Sequence, residues 1–213
     1  MKLPNGLYAI TPEHPQRDLT SLVEEALAGG ARLIQYRDKS HDQDRRRASA
    51  RALLDLCLHW DALLIINDDL ELAADIGAHG IHLGRDDPEP LVARARLGAD
   101  AIIGLSCYDR LDLALAAQVM GLDYVAFGRF FPSLTKPEAE PASLDLLRQA
   151  RRQISLPLVA IGGITPENAP SVIEAGADLL AVVNGVFGAP DVRAAARAFT
   201  ALYDRRASDT TWR

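Results

Sequence analysis

Lys39 and Lys136 are two of only three lysines in a chain that carries twenty arginines. They sit in Gln35-Tyr36-Arg37-Asp38-Lys39 and Thr135-Lys136-Pro137, and each follows a short apolar run. Where charge alone is needed this chain uses Arg. A compact, hydrated ammonium at the end of a strand therefore points to a specific task, the holding of a phosphate-type anion, ahead of a solvated turn lysine. Gln35, Arg37 and Lys39 alternate with Tyr36 and Asp38, and the two-residue period of a strand turns the first three to one side. A cation there requires an anionic partner. Spacing leaves two partners open for Arg37, a carboxylate such as Asp68 or a ligand.

Acidic pairs end two further runs, in Asn67-Asp68-Asp69 and Arg85-Asp86-Asp87. Facing carboxylates without a Cys/His cluster suit Mg²⁺, which takes one or two carboxylates, several waters and substrate phosphate oxygens. The alternative role for one member of each pair is helix initiation, with Asp69 capping one helix and Asp86 or Asp87 starting another. Ser106 ends a fifth run. After a sixth, Ser133, Leu134, Thr135 and Lys136 form a hydroxyl-rich basic loop able to surround a phosphate, or an ordinary turn. Gly162-Gly163 and Val183-Asn184-Gly185 follow the last two runs, and glycines let backbone amides approach a phosphate closely. Donors at the second and sixth runs, with these turns, predict two anion sites around one mouth and hence two phosphorylated reactants. His82 lies among apolar residues and reads as a hydrogen-bonded core histidine, and Cys107 as packing. Neither a Ser/His/Asp nor a Cys/His constellation can be assembled.

The elements that must position these groups are legible as period. Apolar runs at Leu7 to Thr11, Leu33 to Asp38, Ala62 to Asn67, Gly80 to Gly84, Ile102 to Cys107, Tyr124 to Phe130, Leu158 to Gly162 and Leu179 to Val183 read as eight strands. Helical patterns alternate with them at Asp18 to Ala28, Asp42 to Trp60, Leu70 to Ile76, Pro90 to Arg96, Leu111 to Met120, Leu144 to Gln153, Pro166 to Ala175 and Asp191 to Tyr203. Eight such units predict an α/β fold, a (β/α)₈ TIM barrel of one domain, with a doubly wound open sheet as the runner-up. The first strand is followed by Thr11-Pro12-Glu13-His14 where a dinucleotide fold would carry a glycine fingerprint, which favours the barrel. The barrel is expected to occupy residues 1–204 and the polar tail 205–213 to be disordered.

The 213 residues, 48% hydrophobic and 24% charged, suffice for one core. A net charge of −6 without a basic stripe argues against nucleic-acid binding. No run reaches the ~18 apolar residues of a membrane span, and two cysteines make no disulfide framework. A cytoplasmic protein is expected, with its oligomeric state left open.

Taken together, Gln35-Tyr36-Arg37-Asp38-Lys39, Ile66-Asn67-Asp68-Asp69, His82-Leu83-Gly84, Thr135-Lys136-Pro137 and Ile161-Gly162-Gly163-Ile164 resemble the thiamine-phosphate synthase family, in order and position, from Leu7 to about Gly188. The resemblance implies a transferase that joins a pyrimidine diphosphate to a thiazole ethyl phosphate, or its carboxylated form, and releases diphosphate. It assigns the segment Gln35, Tyr36, Arg37, Asp38 and Lys39 to substrate binding. Within that segment Gln35, Arg37 and Lys39, together with Asn67 and Lys136, would hold the diphosphate, with Arg37, Lys39 and Lys136 catalytic. Asp68 and Asp87 would bind Mg²⁺ and Ser106 would contact the pyrimidine, while Ser133, Leu134, Thr135, Gly163, Val183 and Asn184 would receive the thiazole phosphate. Arg85, Tyr108 and Asn184-Gly185 depart from the family's usual Gln, His and Ser-Ala. The related thiazole tautomerases place a His where Tyr108 stands, which ranks proton-transfer chemistry below the synthase. A non-catalytic phosphate sensor is the remaining alternative.

Overall fold

The computed structural model describes residues 3–132 and 140–208, with 204–208 described by backbone alone. Its eight strands are β1 (Gly6–Ile10), β2 (Leu33–Tyr36), β3 (Leu63–Asn67), β4 (Gly80–Leu83), β5 (Ile102–Tyr108), β6 (Tyr124–Gly128), β7 (Leu158–Ile161) and β8 (Leu179–Val182). They pair in parallel in sequence order, and β1 also pairs with β8, so the sheet closes. Closure rules out the open sheet. The helices between them are α1 (Leu19–Ala28), α2 (Gln43–His59), α3 (Leu70–Ile76), α4 (Pro90–Leu97), α5 (Leu111–Val119), α6 (Leu144–Gln153) and α7 (Ala169–Glu174), followed after β8 by α8 (Asn184–Phe187) and α9 (Val192–Ser208).

Local chemistry sets the helix starts. Asp18, Asp42, Asp69 and Ser143 each accept a hydrogen bond from a backbone N–H three residues on, satisfying a donor the helix cannot satisfy itself. The seventh helix begins at Ala169, later than periodicity suggests. Thr165 and Asn168 bond each other's backbone N–H through their side chains, which holds 165–168 as a turn. At the other end α9 continues through Ser208, into the segment expected to be a tail. The short α8 has too few residues to show a period.

Strand alternation divides the core in two. Tyr8, Ile10, Leu33, Ile65, Ile102, Tyr124, Ala126, Val159, Leu179 and Ala181 fill the barrel, while the opposite faces of the strands pack against the helices in a larger cluster. The barrel filling is apolar at the N-terminal end and turns polar toward the C-terminal strand ends, where Gln35 and His82 are buried. That change of character along each strand makes the C-terminal end the place for chemistry.

Candidate functional site

A cavity of about 530 Å³ opens at the C-terminal ends of the strands. Its lining brings together ten of the residues singled out from sequence: Gln35, Arg37, Lys39, Asn67, Asp68, Asp87, Ser106, Gly163, Val183 and Asn184. Ser133, Leu134, Thr135 and Lys136 lie outside the described residues. Tyr36 and Asp38 are not part of the lining, and their side chains meet other groups of the protein. Tyr36 is 2% exposed in the helix-facing core and its hydroxyl donates to Asp38 Oδ2 at 3.1 Å. Asp38 in turn accepts from Arg45 Nη2 at 3.0 Å and from the Ser40 N–H at 2.8 Å. Burial, reinforced by the Asp38 charge, pushes the Tyr36 phenol up to about 12, so it stays a neutral donor. Both residues follow from the period of two: they alternate away from the mouth and tie β2 to α2.

On the inward face, Arg37 Nη1 donates to Glu13 Oε1 at 2.6 Å, and Lys39 is paired with Asp68 Oδ2. The carboxylate partner of Arg37 is therefore Glu13, which stands beyond Pro12 where strand alternation carries no information. Thr11 Oγ1 accepts from the Arg37 N–H at 2.9 Å and fixes the two strand ends against each other.

Of the two acidic pairs, Asp69 is structural, while Asp68, Asp86 and Asp87 line the cavity. Asp69 caps α3 through Leu72 N–H at 2.9 Å and receives Arg46 at 2.6 Å. Asp68 turns the other way, with a left-handed φ of 63° that a non-glycine residue adopts at a cost of about 1–3 kcal/mol. Asp87 accepts from the Gly84 N–H at 2.6 Å and starts no helix, since α4 is preceded by Glu89. Asp68 and Asp87 meet through their carboxyl groups. Burial raises Asp68, but hydrogen bonds from Lys39 and Asp87 outweigh it and hold the carboxyl low. Asp87 is raised by burial and by the neighbouring Asp68 charge, against the pull of the Gly84 N–H. Two carboxyls in contact, one holding its proton more tightly, leave negative charge that a divalent cation would satisfy. No group of three or more His, Cys, Asp or Glu assembles among the described residues. A cation held here would take its other ligands from water and substrate, the habit of Mg²⁺. The donor set fits that ion.

Deeper in the cavity the polar groups join end to end. Gln35 Nε2 donates to Tyr8 Oη at 2.7 Å, Tyr8 Oη lies 2.8 Å from Tyr124 Oη, Tyr124 Oη lies 2.9 Å from His82 Nδ1, and His82 Nε2 lies 2.9 Å from Ser106 Oγ. His82 is thus the hydrogen-bonded histidine expected from its apolar neighbours, and it also lines the cavity. Tyr8 and Tyr124 went unnoticed in sequence because an aromatic residue within an apolar run reads as core. Gly104 was the signal available. A Cβ there would stand 1.9 Å from the Tyr124 ring, so the glycine makes room for that side chain to cross the barrel. Arg129, read only as part of a strand, is a further cation on the lining.

At the far side, Gly162 and Gly163 have φ of 101° and 63°, and a Cβ on Gly163 would lie 2.2 Å from the Pro132 carbonyl oxygen. The β7 turn is held by Asn168, whose Nδ2 donates to the Gly163 carbonyl at 3.0 Å. Val183 and Asn184 begin α8 at the mouth, the position of the short extra helix at which such barrels commonly bind phosphate.

A family model, curated relatives and a solved structure at 35% identity carry one family's name. A family model described as thiamine monophosphate synthase matches residues 7–186. The chain is 59% identical over 196 residues to a thiamine-phosphate synthase from Nitrosococcus oceani, covering 91% of this chain and 90% of that one. It is 55% identical over 201 residues to one from Thioalkalivibrio sulfidiphilus, covering 93% and 95%. The solved structure of thiamine phosphate pyrophosphorylase from Pyrococcus furiosus superposes with a TM-score of 0.86 at 35% identity, covering 93% of this chain and 95% of the other.

Proposed function

The chain belongs to the thiamine-phosphate synthase family, and from that premise we propose that it condenses 4-amino-5-hydroxymethyl-2-methylpyrimidine diphosphate with thiazole ethyl phosphate to give thiamine phosphate and diphosphate. The observation that carries the reading is the meeting, on one cavity wall, of the Arg37 and Lys39 cations with the Asp68 and Asp87 carboxylates. That combination suits a diphosphate bound together with a cation.

In the first step the bond between the pyrimidine CH₂ and the diphosphate oxygen breaks, and its electron pair leaves with the diphosphate. The carbocation is stabilised by donation from the ring's amino group. The thiazole nitrogen then supplies an electron pair to that carbon. Arg37, Lys39 and Lys136 stabilise the charge that builds on the leaving group, which is where preorganised donors contribute most. Asp68 and Asp87 would hold Mg²⁺, which when bound neutralises diphosphate charge. Ile10, Ala126, Val159 and Ala181 line the interior end of the cavity and keep water from the cation, whose capture would give the alcohol. Gly163, Val183 and Asn184 receive the phosphate of the second reactant, opposite the cation pair. No protein nucleophile is needed.

The test is diphosphate release from purified protein with both substrates and Mg²⁺, omitting each in turn, with the product identified by mass. Thiamine phosphate that requires all three components supports the reading. Folded protein that forms none overturns it.

A further inference from the structure

The buried polar groups below the cation site form a single chain that crosses the barrel from β2 through β1, β6 and β4 to β5. Its direction follows from counting protons. Gln35 donates to Tyr8 Oη, so the one proton of Tyr8 goes to Tyr124 Oη at 2.8 Å. The one proton of Tyr124 then goes to His82 Nδ1 at 2.9 Å. In a neutral imidazole one nitrogen accepts and the other donates, so His82 Nε2 carries the proton and donates to Ser106 Oγ at 2.9 Å. Ser106 Oγ is an acceptor in that bond, and its own proton is left to point into the cavity it lines.

Burial supports the same proton count. Tyr8 is 1% exposed and Tyr124 fully buried, and desolvation raises both phenols well above their ordinary value, so each keeps its proton. Packing holds the groups in place. The Tyr8 and Tyr124 rings meet edge to face at 87° with centroids 5.8 Å apart, and His82 stacks on Tyr124 at 17° and 5.6 Å. Four polar side chains in a barrel interior are costly unless every one is satisfied.

We propose that Gln35, Tyr8, Tyr124 and His82 are positioning residues whose one-way hydrogen-bond chain fixes the His82 tautomer and so presents the Ser106 hydroxyl as a donor to an acceptor nitrogen of a heteroaromatic substrate. The substrate half of this inference rests on the function proposed above, and the tautomer half does not. The direction of the whole chain is set at Gln35. A group there that can only accept, as in Gln35→Glu, turns the Tyr8 proton toward itself, moves the imidazole proton to Nδ1, and makes Ser106 donate to His82.

The experiment is ¹⁵N NMR of histidine-labelled protein, with His82 assigned from the signals lost in His82→Asn. In the wild type Nε2 is expected to be the protonated, pyrrole-type nitrogen and Nδ1 the pyridine-type one. In Tyr124→Phe, which keeps the ring and removes the donor, the two signals are expected to move toward each other, and in Gln35→Glu to exchange. A wild type protonated at Nδ1, or Tyr124→Phe signals that do not move, overturns the chain. Positioning is read from turnover. Tyr124→Phe, or Tyr8→Phe if the former folds poorly, is expected to lower kcat/KM roughly tenfold when Ser106 is present and less than about twofold in a Ser106→Ala background. Equal losses in both backgrounds overturn the positioning role. If the wild type forms no product, the synthase reading fails while the tautomer still decides the chain.

Discussion

The Arg85 guanidinium lies 4.9 Å from the centroid of the Tyr108 ring, and the Arg85 backbone N–H donates to the Tyr108 hydroxyl at 3.1 Å. These are two of the positions at which the chain departs from the pattern it resembles, and the structure makes them a pair across the ends of β4 and β5. Tyr108 reaches Arg85 because the register shifts between Ser106 and Tyr108 and its φ is 55°, which swings the ring toward β4. A change at one position is therefore felt at the other. In urea unfolding, Arg85→Ala and Tyr108→Leu should show a coupling of about 0.5–1 kcal/mol in a double-mutant cycle, the range of an exposed cation–π contact. Additive losses would show the contact contributes nothing.

Lys39 is held by Asp68 and faces the cavity, so its ammonium stands ready beside the proposed diphosphate. Lys39→Ala and Lys136→Ala should each lower single-turnover rates by something like 10²-fold, the loss seen when one preorganised charge-stabilising donor is removed. Wild-type rates in either variant would remove that residue from the mechanism.

Mg²⁺ is expected to stabilise the folded protein even without substrate, because a divalent cation shared by the neighbouring Asp68 and Asp87 carboxyls would offset their mutual repulsion. At a hundred times its dissociation constant the gain is about 2.7 kcal/mol, read as a rise in Tm that vanishes in Asp87→Asn. An equal rise in wild type and variant would place the ion elsewhere.

The barrel was legible because strands buried on both faces show as short apolar runs, while helices buried on one face show a period near four. The cations after β2 were legible because alternation turns Gln35, Arg37 and Lys39 inward together, and the carboxylates after β3 and β4 because charge ends an apolar run. What sequence could not give lay off the period or across it. Glu13 finds Arg37 from a loop after Pro12. Tyr8, Tyr124, His82 and Ser106 join end to end from four different strands, and no local spacing records a contact between residues 42 or 116 positions apart.

Cys57 and Cys107 are both buried, and desolvation pushes both thiols up to about 12. Neither should react with a disulfide reagent in native protein at pH 8, and both should react at once in denaturant. The sign for stability follows. A raised folded pKa means their contribution is whole below the unfolded value near 9 and is lost as pH rises toward 12. Fast native-state labelling of Cys107 would mean that the β5 end opens.

Gly163 and Gly77 share a left-handed backbone, with φ of 63° and 68°, but differ in what a methyl group would meet. At Gly77, the C-cap of α3, there is nothing within 4 Å, whereas at Gly163 the carbonyl oxygens of Pro132 and Phe131 lie at 2.2 and 2.8 Å. Gly77→Ala should cost about 1–2 kcal/mol, the conformational term alone. Gly163→Ala adds overpacking of roughly 1–3 kcal/mol and, by pushing the loop after β6 away from the turn after β7, should also raise KM for the thiazole phosphate. Equal unfolding free energies for the two variants would show that the loop yields freely. An unchanged KM would separate Gly163 from the proposed phosphate site.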